Sequence, residues 1–396
     1  MTQHTTGIVL GGGGARGAYE AGVIAGITDV LADADPGASF RSLFDVVCGT
    51  SVGAINAAWV AAHADAEDHD AQGLLRHWRT LELSKHLRLD PIGMLAGRPD
   101  PLNPDPKTTG RAVLNARALE QLVEDGIPWR RLRSNLEAGR LKGLVVTALH
   151  VATGTTTLFT DLAPGVDYPA SKARRRRAVR DAIRADHVLA SAAIPLIFPS
   201  RRIGSGYYCD GGVRFNTPMA PALRLGVDRL VVIPLLSEPE DRPALAAEEY
   251  PGPLFLAGKV LDALLLDPIG YDLQVLVRFN KLLERLDEFL SQTERNEFDK
   301  VLTDARGAPY RKVETLIFRP SQDLGRLALE HATRLRKRGI RGRIIAAMAD
   351  MGGTFDADLL SFVLFDADYA HQLVELGRAD VRARAKEVRA FFDDRR

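Results

Sequence analysis

Leu43-Phe44-Asp45-Val46-Val47-Cys48-Gly49-Thr50-Ser51-Val52-Gly53-Ala54 is the stretch that decides the fold. The mostly apolar run from Leu43 to Cys48 has the pattern of a strand buried on both faces. It turns at Gly49 and enters an Ala-rich stretch, Val52 to Ala64, that reads as a helix. A strand, a tight turn and a helix in that order form the unit from which parallel sheets are built.

The same unit occurs just upstream. Gly7-Ile8-Val9-Leu10 runs into four glycines, Gly11 to Gly14, and Ala18 to Leu31 then shows helical spacing of apolar residues. Two such units in succession predict a mostly parallel sheet covered by helices. Downstream, Pro91, Pro99, Pro101, Pro104 and Pro106 mark Ser84 to Thr109 as a long irregular loop. Strands are expected at Gly143 to Val151, Thr155 to Thr160 and Leu230 to Leu236, and a helix from Ala178 to Ala192. Arg201 to Ile203 and Tyr207 to Cys209 read as a hairpin across Gly204-Ser205-Gly206. The acidic, Pro-containing stretch 239–249 suggests a boundary, separating residues 7–236 from a mainly helical extension, 237–396. That extension carries one strand-like run, Val313 to Phe318.

Composition narrows the class. Of 396 residues, 46% are hydrophobic and 26% charged, which excludes collagen-like, coiled-coil and disordered chains. Lys and Arg number 52 against 51 Asp and Glu, so the net charge of +1 gives no footprint for nucleic acid. Cys48 and Cys209 are the only cysteines, too few for a disulfide framework and suited to a reducing compartment. They read as small buried hydrophobes, whose adjacency in the sheet would permit a disulfide under oxidation. Met1 to Thr6 lacks a basic flank before an apolar core, which argues against a secretory signal. The apolar runs, including Ala54 to Ala62 and Leu254 to Leu266, are too short or too interrupted for a membrane span. A cytoplasmic location is therefore expected.

The chemistry begins at Gly49-Thr50-Ser51-Val52-Gly53. This G-x-S-x-G between strand and helix has the form of a nucleophile elbow, where a serine takes a strained backbone and glycines avoid collisions. Gly12, Gly14 and Gly17 also satisfy G-x-G-x-x-G, so a dinucleotide site must be weighed. Such a site needs an acid at the end of the second strand, whereas Asp45 lies at its start. The same glycines explain both motifs as an oxyanion hole beside Ser51, with Arg16 adding positive potential for an anion or lipid phosphate, or forming a helix-turn salt bridge.

A serine needs a base. None of the nine histidines occupies a Gly-flanked turn after a strand, His187 and His150 being the nearest candidates. Asp210 does: it follows Tyr207-Tyr208-Cys209 and precedes Gly211 and Gly212, which allow close backbone approach.

Gly12 to Gly17, Gly49 to Gly53 and Asp210 to Gly212, in this order, resemble the signature of the patatin-like phospholipase family. Ala190-Ser191-Ala192-Ala193-Ile194-Pro195, Phe198-Pro199 and Asn216-Thr217-Pro218 support the resemblance, which covers residues 7 to 236. It implies a three-layer α/β/α sandwich and a hydrolase of lipid acyl esters that needs neither metal nor nucleotide cofactor. Carried onto this chain, Ser51 is the nucleophile, Asp210 the base, and the Gly12, Gly13 and Gly14 amides the oxyanion hole. Gly49, Gly53, Gly211, Gly212 and Arg16 support them.

Two other classes stay open on sequence: an acyl-binding module without catalysis, and a nucleotide-dependent α/β enzyme. The basic run from Lys172 to Arg177, with Arg180 and Arg184, reads as a solvated face or as a patch for anionic membrane surfaces. The 84–109 loop and Leu254 to Leu266 are candidates for a lid or an interfacial helix.

Overall fold

The computed structural model describes residues 4–34, 43–66, 70–80, 117–169, 173, 175–195, 197–215, 217–237, 267–306, 311–335 and 357–393. The expectations for the 84–109 loop, the 239–249 boundary, Leu254 to Leu266, Lys172, Arg174 and Asn216 fall outside these residues.

Nine strands form one sheet: β1 (Thr6–Leu10), β2 (Val46–Thr50), β3 (Gly143–His150), β4 (Thr155–Leu162), β5 (Arg176–Arg180), β6 (Arg201–Ile203), β7 (Gly206–Asp210), β8 (Arg229–Ile233) and β9 (Glu314–Ile317). The main order is β5-β4-β3-β2-β1-β8-β9. Pairs β3-β2, β2-β1, β1-β8 and β8-β9 are parallel, while β4 returns antiparallel on β3. The two predicted strand-turn-helix units lie side by side at the centre. Continuous apolar runs such as Leu230-Val231-Val232-Ile233 are buried on both faces, as a parallel sheet requires.

The helices that position the site are α1 (Gly17–Ala34), α2 (Val52–Ala62), α3 (Ala185–Ser191), α4 (Gly212–Phe215), α5 (Met219–Arg224), α6 (Asp267–Phe289), α7 (Ala357–Val363) and α8 (Ala367–Ala383). One face of the sheet buries α1 and α2 in the larger core, joined there by Leu373, Val374 and Val381 of α8. The other buries Met219 and Ala222 of α5 with Leu273 and Leu276 of α6. Small side chains let α2 sit close to the sheet, and all eleven of its residues are buried.

The C-terminal segment is built into this sandwich. β9 extends the sheet beside β8, and α8 packs along α1, where Arg378 pairs with Asp29 at 2.6 Å and Tyr19 donates to Asp380 at 2.8 Å.

Two expectations need correction. The predicted helix over Ala178 to Ala192 is a strand, β5, followed by the short helix α3. Charge explains the first part: β5 is an edge strand, and arginines on an edge remain hydrated while discouraging further pairing. The turn after it is fixed by Asp161, which accepts the Ile183 amide at 2.9 Å and a bidentate pair from Arg133. The two cysteines, for their part, are not laterally adjacent. Cys48 pairs with Val145 and Cys209 with Leu149, four positions apart on β3, or about 13 Å along the strand. That exceeds disulfide reach, and both thiols are free and buried.

Candidate active site

Ser51 joins the end of β2 to the first turn of α2 with φ 55° and ψ −130°. A left-handed φ at a residue with a β carbon costs about 1–3 kcal/mol and persists only where the surroundings enforce it. The enforcement is visible at the flanking glycines. A β carbon on Gly49 would lie 2.3 Å from the Gly53 carbonyl oxygen, and one on Gly53 would lie 2.4 Å from that of Leu10. Strand β1, strand β2 and helix α2 therefore meet more closely than any side chain permits.

Register brings Asp210 to the same place. β4 occupies one edge of β3 throughout, so β2 and β7 share the other edge. β2 runs parallel and ends with Thr50 opposite Thr147, whereas β7 runs antiparallel and ends with Asp210 opposite Ala148. The two strands thus point at each other, their ends one residue apart on β3. Gly211 must be bare for this to work, since a β carbon there would fall 2.4 Å from the Thr147 carbonyl oxygen.

The Asp210 side chain is fully buried. Burial pushes its pKa up to about 7, opposed by the adjoining Ser51 hydroxyl and the Gly212 amide. Gly212 donates to Oδ1 at 2.7 Å. Oδ2 is buried and has no partner of good hydrogen-bond geometry among the described residues. A buried carboxyl beside a serine hydroxyl, with one oxygen unspent, is equipped to take a proton.

Sequence reasoning missed the brace that holds this pair. The Ser191 hydroxyl accepts the Ser51 amide at 2.8 Å and donates to the Thr147 carbonyl at 2.6 Å. Two residues on, the Ala193 carbonyl accepts the Asp210 amide at 2.9 Å. The Ala190 to Pro195 run, noted only as supporting context, thereby fixes both partners. Thr50 adds a bond from its hydroxyl to the Phe215 carbonyl at 3.2 Å.

The glycine turn stands beside the elbow. Gly14 has φ 56° and opens a single 3-10 turn, Gly14–Arg16, that leads into α1. The Gly13 carbonyl is used by the Arg16 amide at 3.1 Å, and among the described residues no backbone acceptor meets the amides of Gly13 or Gly14. Ser51 also heads α2, whose first amides carry the positive end of the helix dipole. Behind the turn, Glu20 is buried and receives a bond from Asn56 (2.8 Å), and burial raises its pKa well above the usual carboxylate range.

Arg16 differs from expectation. The residue is only 2% exposed; Nε donates to Ser361 Oγ at 2.6 Å, Nη1 to the Leu235 carbonyl at 3.4 Å, and the guanidinium carbon lies 4.4 Å from the Phe362 ring centroid. The charge is spent on the C-terminal segment rather than presented to an anion in solvent. His187 and His150 stand apart from the pair. His187 Nδ1 accepts the Arg184 amide and its Nε2 lies 3.4 Å from Asp181, while His150 bonds Thr153. Asp45, the residue that a ribose site would need at the far end of β2, instead accepts the Thr6 amide at the near end.

No group of three or more His, Cys, Asp or Glu residues is arranged to hold a metal ion among the described residues. Of the basic run, Arg175, Arg177, Arg180 and Arg184 are exposed, but Arg176 turns inward over the Phe215 ring at 4.2 Å.

A mostly parallel sheet between helical layers, with a serine held at positive φ between strand and helix, defines an α/β/α protein of the elbow-serine class. Within that class, the model of the patatin-like phospholipase family matches residues 8–223, and the chain belongs to this family of lipid acyl hydrolases. Among solved structures, VipD from Legionella pneumophila is similar at 14% identity, over 94% of this chain and 67% of that one, with a TM-score of 0.31. No curated protein gives a sequence match.

Proposed function

We propose that the protein is a serine hydrolase of lipid acyl esters, of the phospholipase A, lysophospholipase or esterase type, with Ser51 as nucleophile and Asp210 as base. Residues 7–236 form the catalytic unit in this reading, and the described part of the C-terminal extension, 237–396, packs upon it. The observation that carries it is the strained Ser51, whose hydroxyl adjoins a buried carboxyl with a pKa pushed up to about 7. An ordinary aspartate, with a pKa of about 3.9, is too weak a base for a hydroxyl.

Ser51 Oγ attacks the ester carbonyl while its proton passes to Asp210 Oδ2. The carbonyl oxygen becomes an oxyanion, stabilised by the amides of the Gly12, Gly13 and Gly14 turn. Collapse of the intermediate expels the alcohol, which takes the proton from Asp210, and leaves an acyl-enzyme. Asp210 then accepts a proton from water, whose oxygen attacks the acyl carbon; collapse of this second tetrahedral intermediate releases the carboxylic acid, and Asp210 returns the proton to Ser51 Oγ.

No helix among the described residues is long and apolar enough to cross a membrane, and the reading is of a cytoplasmic protein that meets lipid at the surface of a membrane. The test is acyl release from phospholipids, lysophospholipids, neutral glycerides and p-nitrophenyl esters. Ser51→Ala and Asp210→Asn are each expected to abolish release while the protein stays folded. Turnover like wild type in either variant overturns the dyad. Failure of a fluorophosphonate to label Ser51 would instead favour an acyl-binding module.

A further inference from the structure

We propose that Arg16, Ser361 and Phe362 form a clamp that positions the oxyanion turn, making the C-terminal segment a working part of the site; this rests on the hydrolase reading above. Two chain segments remote in sequence back the turn. A β carbon on Gly13 would fall 2.5 Å from Leu235 Cδ1, and one on Gly14 would fall 2.0 Å from the Phe362 carbonyl oxygen. The first segment follows β8, and the second is the end of α7.

Arg16, the last residue of the same 3-10 turn, is bonded to both segments. Nη1 reaches the Leu235 carbonyl, Nε reaches Ser361 Oγ, and the guanidinium covers the Phe362 ring. A buried cation is tolerated only where acceptors meet it, so the turn is fixed when both segments are seated. Glycines have no side chains with which to hold their own conformation. Amides that stabilise an oxyanion are effective only if already oriented when charge develops. Arg16, at the end of the turn, and Ser361, outside it, supply that orientation without touching substrate. They are positioning residues.

The experiment uses the full chain, a soluble p-nitrophenyl ester, and a fluorophosphonate to count competent sites. For Ser361→Ala, kcat per titrated site is expected to fall about tenfold or more, with KM within about twofold. Ser361→Thr, which keeps the hydroxyl, restores most of it. Phe362→Leu retains the backbone carbonyl but removes the ring beneath Arg16, giving a smaller loss of the same kind, and it decides the matter if Ser361→Ala does not fold. A purely structural contact would lower the number of titratable sites and leave kcat per site unchanged, which overturns the clamp. A wild-type protein that neither turns over ester nor labels at Ser51 overturns the hydrolase reading and the clamp with it. Normal wild-type turnover with unaltered kcat per site in the variants overturns the clamp alone.

Discussion

Ser51 and Asp210 stand at the facing ends of two strands that share one edge of β3, β2 arriving parallel and β7 antiparallel. The sheet itself therefore brings a hydroxyl to a carboxyl, and no flexible loop has to deliver either. The same placement buries the carboxyl, and burial is what raises its pKa.

Activity should follow the ionisation of Asp210. With a pKa of about 7, the carboxyl is half protonated at neutral pH, and, if it is the base of the proposed reaction, kcat/KM should fall about tenfold for each unit below that point. A pH–rate profile of a soluble ester checks this; an inflection near 4 would mean that the catalytic carboxyl is unperturbed.

Stability should move the opposite way. A folded-state pKa raised above the unfolded value means that the folded protein holds a proton which the unfolded chain has released. Asp210 thus adds nothing unfavourable below about pH 4, destabilises progressively as pH rises to about 7, and imposes its full cost above that. Asp210→Asn should gain stability over wild type at pH 8 but not at pH 4, by at most about 4 kcal/mol. Thermal melts at the two pH values measure it, and an equal effect at both would refute the assignment.

The elbow strain predicts a contrast between two variants of Ser51. Ser51→Gly removes the penalty of a left-handed φ and should stabilise the fold by about 1 kcal/mol or more, whereas Ser51→Ala keeps it and should not. Denaturant midpoints of the two compared with wild type provide the check.

Ser191→Ala should damage both stability and rate. It strips a partner from the buried Ser51 amide and the Thr147 carbonyl, at about 1–3 kcal/mol. If Ser51 is the nucleophile, a fall in kcat beyond that explained by the folded fraction is expected, because the same hydroxyl orients Ser51; unfolding titrations alongside kinetics separate the two effects.

Binding to lipid surfaces should depend on the exposed Arg175, Arg177 and Arg180, at about 1 kcal/mol per charge near an anionic bilayer. Co-sedimentation with phosphatidylserine vesicles should exceed that with phosphatidylcholine and weaken when the three are replaced by Gln. Equal partition onto both vesicles argues against a role for this edge. Arg176, committed to Phe215, should contribute little.

Much of the candidate site was legible in the sequence because its signals are local. Gly49 and Gly53 announce backbone contacts that exclude a side chain, Ser51 lies between them, and Asp210-Gly211-Gly212 marks a strand end with close approach behind it. What escaped was carried by partners far along the chain. Ser191 meets Ser51 across 140 positions and Arg16 meets Ser361 across 345, and no local pattern records either. β5 was misread for a related reason: arginines and apolar residues in a short run fit a helix as well as a strand until β4 supplies an edge to pair with.

The sequence by itself determined the parallel α/β class, the strained serine turn and the glycine-rich turn beside it, since these follow from the spacing of glycines and apolar residues over a few turns of chain. Only the tertiary structure decided that Asp210 meets Ser51, that Ser191 ties them together, and that Arg16 faces the C-terminal segment. Those outcomes depend on strand order, register and burial. Each is a property of surfaces that come together only when the whole sheet is assembled.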